Sequence, residues 1–438
     1  MPVCTSSSAR FRPLGRRQII TGFGGGHITS DGGALFVREL DRQLRLSQRI
    51  AERFGDVRRQ ASCDHSAVEL VRQRIFALAL GYEDLNDHDS LREDLLFQTA
   101  VGRDTRLACR TTLGRFERQP GEDVIRSLHA LLIDLFIEAH DTPPHELVLD
   151  FDATDDIVHG GQEGRGFNAY YDNYIFMPLY VFCGKHPLVA WLRPGKSGAA
   201  EGTESWLTLL TLRLRAAWPD VRLIFRADGG FAKPAIYRCC EALGVDYVIG
   251  LPKNKRLLGF AADWMAEAEE LAGKAEDGKA RVFGEFNYAA GSWTRKRRVI
   301  AKAEHNNRGE NPRFVVTNCD DAPAALYEKI YCARGEMENR IKEQQLDLFA
   351  DRTSSTKWWT NQLRLLYSTF AYVLLDHLRH RFLDGTELAR AYVGTIRLKL
   401  LKIGAVIRRN TRRIVVELST AYPRKSLFDL VRRRMANA

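Results

Sequence analysis

Apolar and polar positions alternate along this chain with two periods, and the period changes twice. Residues 31–142 carry the three-to-four spacing of helices. Leu70, Val71, Ile75, Leu78 and Leu80 predict one buried helix, and Ser66-x-x-Glu69 reads as its capping box. Ser90-x-x-Glu93 predicts a second helix over 90–101, and a third is expected over 122–140. Between them lies CRTTLGRFERQ, where Thr112, Arg115 and Arg118 fit either DNA contact or a short polar connection. Pro143–Pro144 ends the helical run. Strands are then expected at 147–152, 174–182 and 188–193, a helix at 203–216, a strand at 221–227, a helix at 232–243 and a strand at 246–250. Three strands before the first helix suggest an antiparallel meander followed by crossover units, a mixed α/β sheet.

Residues 251–330 break that rhythm with a helix at 259–273 and short strands near 281–288, 296–302 and 313–317, read as a β-containing insertion. Helices return at 330–349 and 357–382. The domain expectation is a basic irregular arm over 1–30, a helical DNA-binding or dimerisation region over 31–142, and a catalytic core over 143–250. An insertion over 251–330, core completion over 331–392 and a basic region over 393–438 follow.

The strand ELVLDFDATDD (146–156) departs from the apolar rule. Leu147, Leu149 and Phe151 share one face, and Val148, Asp150 and Asp152 share the other. Carboxylates on a greasy strand are costly to bury without a partner, and a divalent cation suits a hard oxygen cluster. A second acid, Asp228, closes the apolar run VRLIFRADGGF, where either a plain Asp-Gly turn or a site at a strand's carboxyl end fits. In EKIYCARGEMENRIKEQQLDL, Tyr331, Arg334, Glu338, Lys342 and Gln345 fall on one helical stripe. By spacing alone that stripe also suits a solvated face.

Charge adds to this picture. The 438 residues hold 65 Lys plus Arg against 55 Asp plus Glu, a net +10, which suits a polyanionic partner. Residues 393–438 hold twelve basic residues against Glu417 and Asp429. Trp293, Arg295 and Arg297 lie in the basic run SWTRKRR, which fits DNA contact or a solvated hairpin tip. Gly24–Gly26 makes no phosphate loop, since no Gly-Lys-Ser/Thr follows. His159 reads as a loop residue. The eight cysteines are scattered without a Cys-x-x-Cys, which fits reduced cytosolic thiols. No apolar run is long enough to span a membrane.

An acid on a first strand, another after a later strand and a Glu on a later helix resemble the DDE transposases of bacterial insertion sequences. The similar group carries a Tyr-x-x-Arg-x-x-x-Glu-x-x-x-x-x-x-Lys signature. The residues that carry the resemblance are Asp152-Ala153-Thr154, Ala227-Asp228-Gly229-Gly230, Tyr331, Arg334 and Glu338. HGGQEGRGFNAYYDNY (159–174), RPGKSG (193–198), NQLRLL (361–366) and IRLKLLKIGA (396–405) add to it. One position departs: the signature Lys is Gln345, with Lys342 one turn after Glu338.

The resemblance implies a ribonuclease-H-like core with flanking helical regions and a β-containing insertion. It implies Mg²⁺ or Mn²⁺ at Asp152, Asp228 and Glu338, with Asp150, about 7 Å back along its strand, as an auxiliary ligand. Tyr331, Arg334 and Lys342 would hold phosphate. The expected partners are terminal inverted repeats, target DNA and further copies of the chain in a synaptic complex, in the bacterial cytoplasm at the nucleoid. A non-catalytic DNA-binding derivative and a ribonuclease-H-like nuclease without strand transfer remain the alternatives.

Overall fold

The computed structural model describes residues 9–55 and 63–438. The start of the expected basic arm and residues 56–62 of the expected helical region lie outside the described residues. The chain divides into two compact units. One comprises Met1–Gln119, Asp347–Phe349 and Phe370–Ala438, the other Pro120–Leu346 and Ala350–Thr369.

The second unit is built on one mixed sheet. Its strands are β1 (Glu146–Ala153), β2 (Leu179–Cys183), β3 (His186–Trp191), β4 (Arg222–Ala227), β5 (Asp246–Leu251), β6 (Ala280–Tyr288), β7 (Arg297–Asn306) and β8 (Arg313–Thr317). They lie in the order β6-β7-β8-β5-β4-β1-β2-β3, with a short strand Gly309–Glu310 on β7. β1, β2 and β3 form the expected antiparallel meander. β4 lies parallel to β1, and β5 parallel to β4. Three antiparallel strands followed by two parallel ones, with the first strand central, make the ribonuclease-H-like core. β8 pairs antiparallel with β5, so the strands after residue 251 extend the core sheet.

A central sheet with parallel strands must be covered on both faces. Leu149, Phe151, Phe225 and Ile249 face one core together with Ile133 and Phe136 of helix α1 (Glu122–Glu138). Leu207 and Leu210 of α2 (Thr203–Ala217) and Tyr237 of α3 (Pro234–Leu243) complete it. On the opposite face Ile224, Val248, Ile300 and Val315 pack against Leu326 and Tyr327. That second face is the one that carries Asp150 and Asp152.

The signature segment is less regular than the expected single helix over 330–349. A π-helical turn (Leu326–Tyr331) and a 3₁₀ turn (Cys332–Arg334) lead into α4 (Gly335–Lys342), and a second π turn (Glu343–Asp347) follows. The expected strand over 174–182 is also split. Asn173–Phe176 belongs to a small separate sheet, and β2 begins after Met177–Pro178. Proline has no N–H to give a ladder, which accounts for the break.

In the first unit the capping box forms as expected. Ser66 N–H donates to Glu69 Oε2 at 2.8 Å, and Glu69 N–H donates to Ser66 Oγ at 3.3 Å. Ser90 does not cap a helix. Asp94 takes that role for Leu95–Val101, accepting from Phe97 N–H at 2.8 Å. Arg115 and Arg118 are exposed and Thr112 is partly so. The N-terminal stretch is not irregular throughout: Ala9–Leu14 pairs with Arg17–Thr21, and His27–Thr29 pairs with Ala405–Arg409. Within the basic C-terminal stretch, Arg397 is buried and donates to the carbonyls of Leu78 and Ala79.

Inside the second unit, His129 of α1 is fully buried between Trp191 and Trp206. Burial lowers its pKa from the usual 6.5 to about 4. Between those values the unfolded chain binds a proton that the folded chain does not, so stability falls as pH drops through that window. The full shift corresponds to about 3 kcal/mol. Thermal unfolding followed from pH 7 to pH 4 should show this loss, and His129→Gln should flatten it. An equally steep profile for the variant would mean that other groups cause the loss.

Candidate active site

The parallel pairing of β1 and β4 brings the first two acids side by side. Phe151 faces Ala227 in the ladder, so Asp152 and Asp228 are the next positions at the carboxyl end of each strand. Ligand sites of open α/β sheets collect at such ends. Asp228 turns the chain: its Oδ1 accepts from Gly230 N–H at 2.8 Å. Gly229 and Gly250 are closely packed. A Cβ on Gly250 would lie 2.5 Å from Tyr331 Oη and 3.1 Å from Gly229 N. Tyr331 therefore sits against the backbone beside Asp228.

Arg334 is the hub of the site. Its guanidinium lies 2.6 Å from Glu338 Oε1 and 3.6 Å from Asp152 Oδ1. It also feels the charge of Asp228. Burial pushes the Asp152 carboxyl up to about 7, Arg334 opposes the rise, and the charges of Asp228 and Glu338 add to it. Three acids from three separate elements thus repel one another around a single cation.

That imbalance tests whether the residues suit a metal. Among the described residues, no three His, Cys, Asp or Glu side chains are gathered closely enough to hold an ion as they stand. The donor chemistry nevertheless suits one. All three groups are hard carboxylates, one of them largely buried, and one guanidinium does not offset three negative charges.

Asp150 leaves the expected ligand set. It is buried, and both of its oxygens are taken by Arg226, with Nη2 donating to Oδ2 at 2.5 Å. Arg226 Nη1 also donates to Ile330 O at 2.5 Å. Asp150 is thus one half of a buried ion pair that fastens β1 and β4 to the turn before Arg334. Lys342 is exposed on α4. Gln345, at the signature Lys position, donates to Asp155 O at 3.1 Å and so ties the helix to the end of β1.

Of the basic run after β6, Arg297 is pointed inward, whereas Arg295 and Lys296 are exposed. Arg297 is buried, bonds Glu241 at 2.8 and 3.1 Å, and lies over the rings of Tyr237 and Trp293. Trp293 packs on the main core. Glu241 supplies the counter-charge for Arg297, and the core supplies an apolar contact for Trp293, which stays partly exposed. Arg295 is exposed and pairs with the same Glu241 at 2.8 Å.

Sequence reasoning missed Arg226, Gly250 and Tyr171. Tyr171 stands within electrostatic reach of Asp152, Asp155 and Asp228. A signal for Arg226 was available: LDFD and FRAD each carry a charge two positions before the final Asp, with opposite signs.

A model of the family described as "Transposase DDE domain group 1" matches residues 11–438. No curated protein matches the chain. Among solved structures, the chain is similar to one from a cryo-EM structure of the piggyBac transposase synaptic complex with hairpin DNA. The identity is 12%, the TM-score 0.42, and the match covers 85% of this chain and 80% of that one.

Removing one member of a buried ion pair leaves the other charge unpaired, at a cost of about 3–5 kcal/mol. Asp150→Ala should lower stability by that order in urea unfolding. Asp150→Ala combined with Arg226→Met should recover much of the loss. Equal losses in the single and double variants would show that the pair does not act as a unit.

Proposed function

This chain belongs to the DDE-domain transposases of group 1, and on that premise we propose that it binds the terminal inverted repeats of an insertion sequence and cuts and joins DNA strands there. The observation that carries the reading is the gathering of Asp152, Asp228 and Glu338 around Arg334. Strand cleavage and strand transfer are both displacements at phosphorus, in which negative charge builds on the leaving oxygen.

Asp152, Asp228 and Glu338 would hold a divalent cation, Mg²⁺ or Mn²⁺, which supplies Lewis-acid stabilisation of phosphate oxygens and a more acidic bound water. The protein's own groups do the rest. Arg334 offers a fixed fork of N–H donors that matches a phosphate's oxygens. Its present partners are carboxylates, so an incoming phosphodiester finds a guanidinium already positioned. Tyr331, held against Gly250, directs its hydroxyl to the same neighbourhood. Lys342 is exposed one turn beyond Glu338 and suits a phosphate farther along the strand. Joining two ends requires that two sites act together, so a dimer or larger synaptic assembly follows from the reaction.

The test uses the DNA that flanks the gene, where imperfect inverted repeats bounded by short direct repeats are expected. A labelled duplex carrying such an end should be nicked by the wild-type protein with Mg²⁺ and joined to target DNA. Asp152→Ala, Asp228→Ala and Glu338→Ala should each lower the cleavage rate at least a hundredfold, roughly the scale of losing one transition-state contact, while binding the duplex as wild type does. EDTA should stop cleavage and spare binding. Undiminished cleavage by Asp228→Ala would remove the triad assignment. Cutting of DNA without ends, and no joined product, would favour a plain nuclease.

A further inference from the structure

Between β1 and β2 the chain makes a small three-stranded sheet. Asp156–Ile157 and Gly166–Asn168 both pair with Asn173–Phe176. Its base is tightly held. A Cβ on Gly195 would lie 2.0 Å from Ile175 O, and one on Gly164 would lie 2.4 Å from the Trp358 ring. Trp358 meets Phe176 edge-on at 5.5 Å. Its backbone N–H donates to Glu163 at 3.1 Å. Asn168 bridges to Gly195 O at 3.2 Å.

The outer part of the same hairpin is aromatic and open. Phe167 is 46%, Tyr170 89% and Tyr174 46% exposed. Phe167 and Tyr174 face one another across the strands with ring centroids 5.6 Å apart. The Arg165 guanidinium lies over Tyr174 at 4.7 Å. Tyr170 stands edge-on to Tyr171 at 4.9 Å, and Tyr171 is the residue that feels Asp152, Asp155 and Asp228. Exposed Lys196 lies beside Gly166.

A firm base and bare rings next to a phosphodiester-cutting site suit one kind of ligand. Folding leaves Tyr170 almost wholly in water and Phe167 and Tyr174 half exposed, with Arg165 over one face of Tyr174. Nucleobases are neutral and have flat faces on which exposed aromatic rings stack regardless of sequence. Paired bases inside a duplex do not offer those faces, whereas unpaired ones do. The nearby carboxylates, Asp155 and Asp172 among them, disfavour a track made of phosphates alone. Arg165 and Lys196 supply a cationic rim for the one or two phosphates that accompany a splayed base. Asn168, Asp172 and Asn173 between the rings make the patch too polar for the dry interface of a second protein copy.

We propose that the hairpin Gly166–Phe176 is a stacking platform that captures unpaired bases of DNA beside the catalytic acids, with Tyr170, Phe167 and Tyr174 as the stacking rings. The proposal rests on the DNA-cutting function argued above. It gives the platform a role in holding a frayed or single-stranded end in place for the reaction.

The test measures binding in EDTA, so cleavage does not enter. The probes are a blunt duplex and the same duplex with a short oligo(dT) tail that contains 2-aminopurine. The wild-type protein should bind the tailed duplex roughly tenfold more tightly than the blunt one and should quench the 2-aminopurine, as base stacking does. Tyr170→Ala combined with Phe167→Leu should abolish the preference and the quenching without weakening blunt-duplex binding. Tyr170→Phe should keep both. Tyr170 is the most exposed of the rings, so its replacement alone leaves the fold intact and serves as the check on the double variant. Equal wild-type affinity for the two probes, or a preference retained by the double variant, overturns the platform and leaves the transposase reading standing. Failure to bind either duplex overturns both.

Discussion

The buried pair of Asp150 and Arg226 is the contact on which the arrangement of the acids depends. The two residues are directly opposite in the β1–β4 ladder, and both are almost without solvent. Taking two charges out of water is unfavourable unless their hydrogen bonds are nearly all made. Here the guanidinium meets both carboxylate oxygens and one backbone carbonyl, Ile330 O. That third bond matters for the site, because Ile330 immediately precedes Tyr331. One side chain thus fixes the register of two strands and the approach of the segment that carries Tyr331, Arg334 and Glu338.

The rest of the site follows from that register. With Arg226 opposite Asp150, Asp152 and Asp228 come to the same end of adjacent parallel strands. The segment Leu326–Tyr331 is pressed onto the sheet by Leu326 and Tyr327, which turns Arg334 and Glu338 back over Asp152. The π and 3₁₀ turns around this segment change the angular step from one side chain to the next. Residues 331 and 334 are joined through a 3₁₀ turn, and residues 334 and 338 through α-helix. The irregularity lies in the segment that carries the candidate site, as π-type turns at functional sites commonly do.

Much of the sheet was legible in the sequence, because hydrophobic runs bounded by Gly, Pro and Asp mark strands well. β1, β4, β5, β6 and β8 fall close to their expected limits, and the three acids were visible as charges that end apolar runs. What escaped was information carried by pairing. Asp150 looked like a metal ligand because its partner lies 76 positions away and no local rule links the two. Arg297 looked like a DNA contact because Glu241, its half-buried partner, belongs to another element. The Ser90 box had the right letters, but Asp94 competed for the helix start and won. The aromatic hairpin at residues 166–176 was read as part of a family motif, and its exposure became apparent only with the fold.

The fate of the basic residues shows why net charge is a weak guide to a binding surface. Arg193 and Arg397 are buried and spend their donors on backbone carbonyls: Met177, Gly198, Ala199 and Glu201 for the first, Leu78 and Ala79 for the second. A guanidinium with five donors can satisfy several carbonyls that a loop leaves unpaired, so these residues serve as staples. Arg226 and Arg297 are absorbed by single carboxylates. Lys196 and Lys342 remain exposed within the second unit, one at the aromatic hairpin and one on the Glu338 helix. The positive charge that can meet a phosphate is therefore set less by how many basic residues the chain holds than by which of them the fold leaves without an internal acceptor.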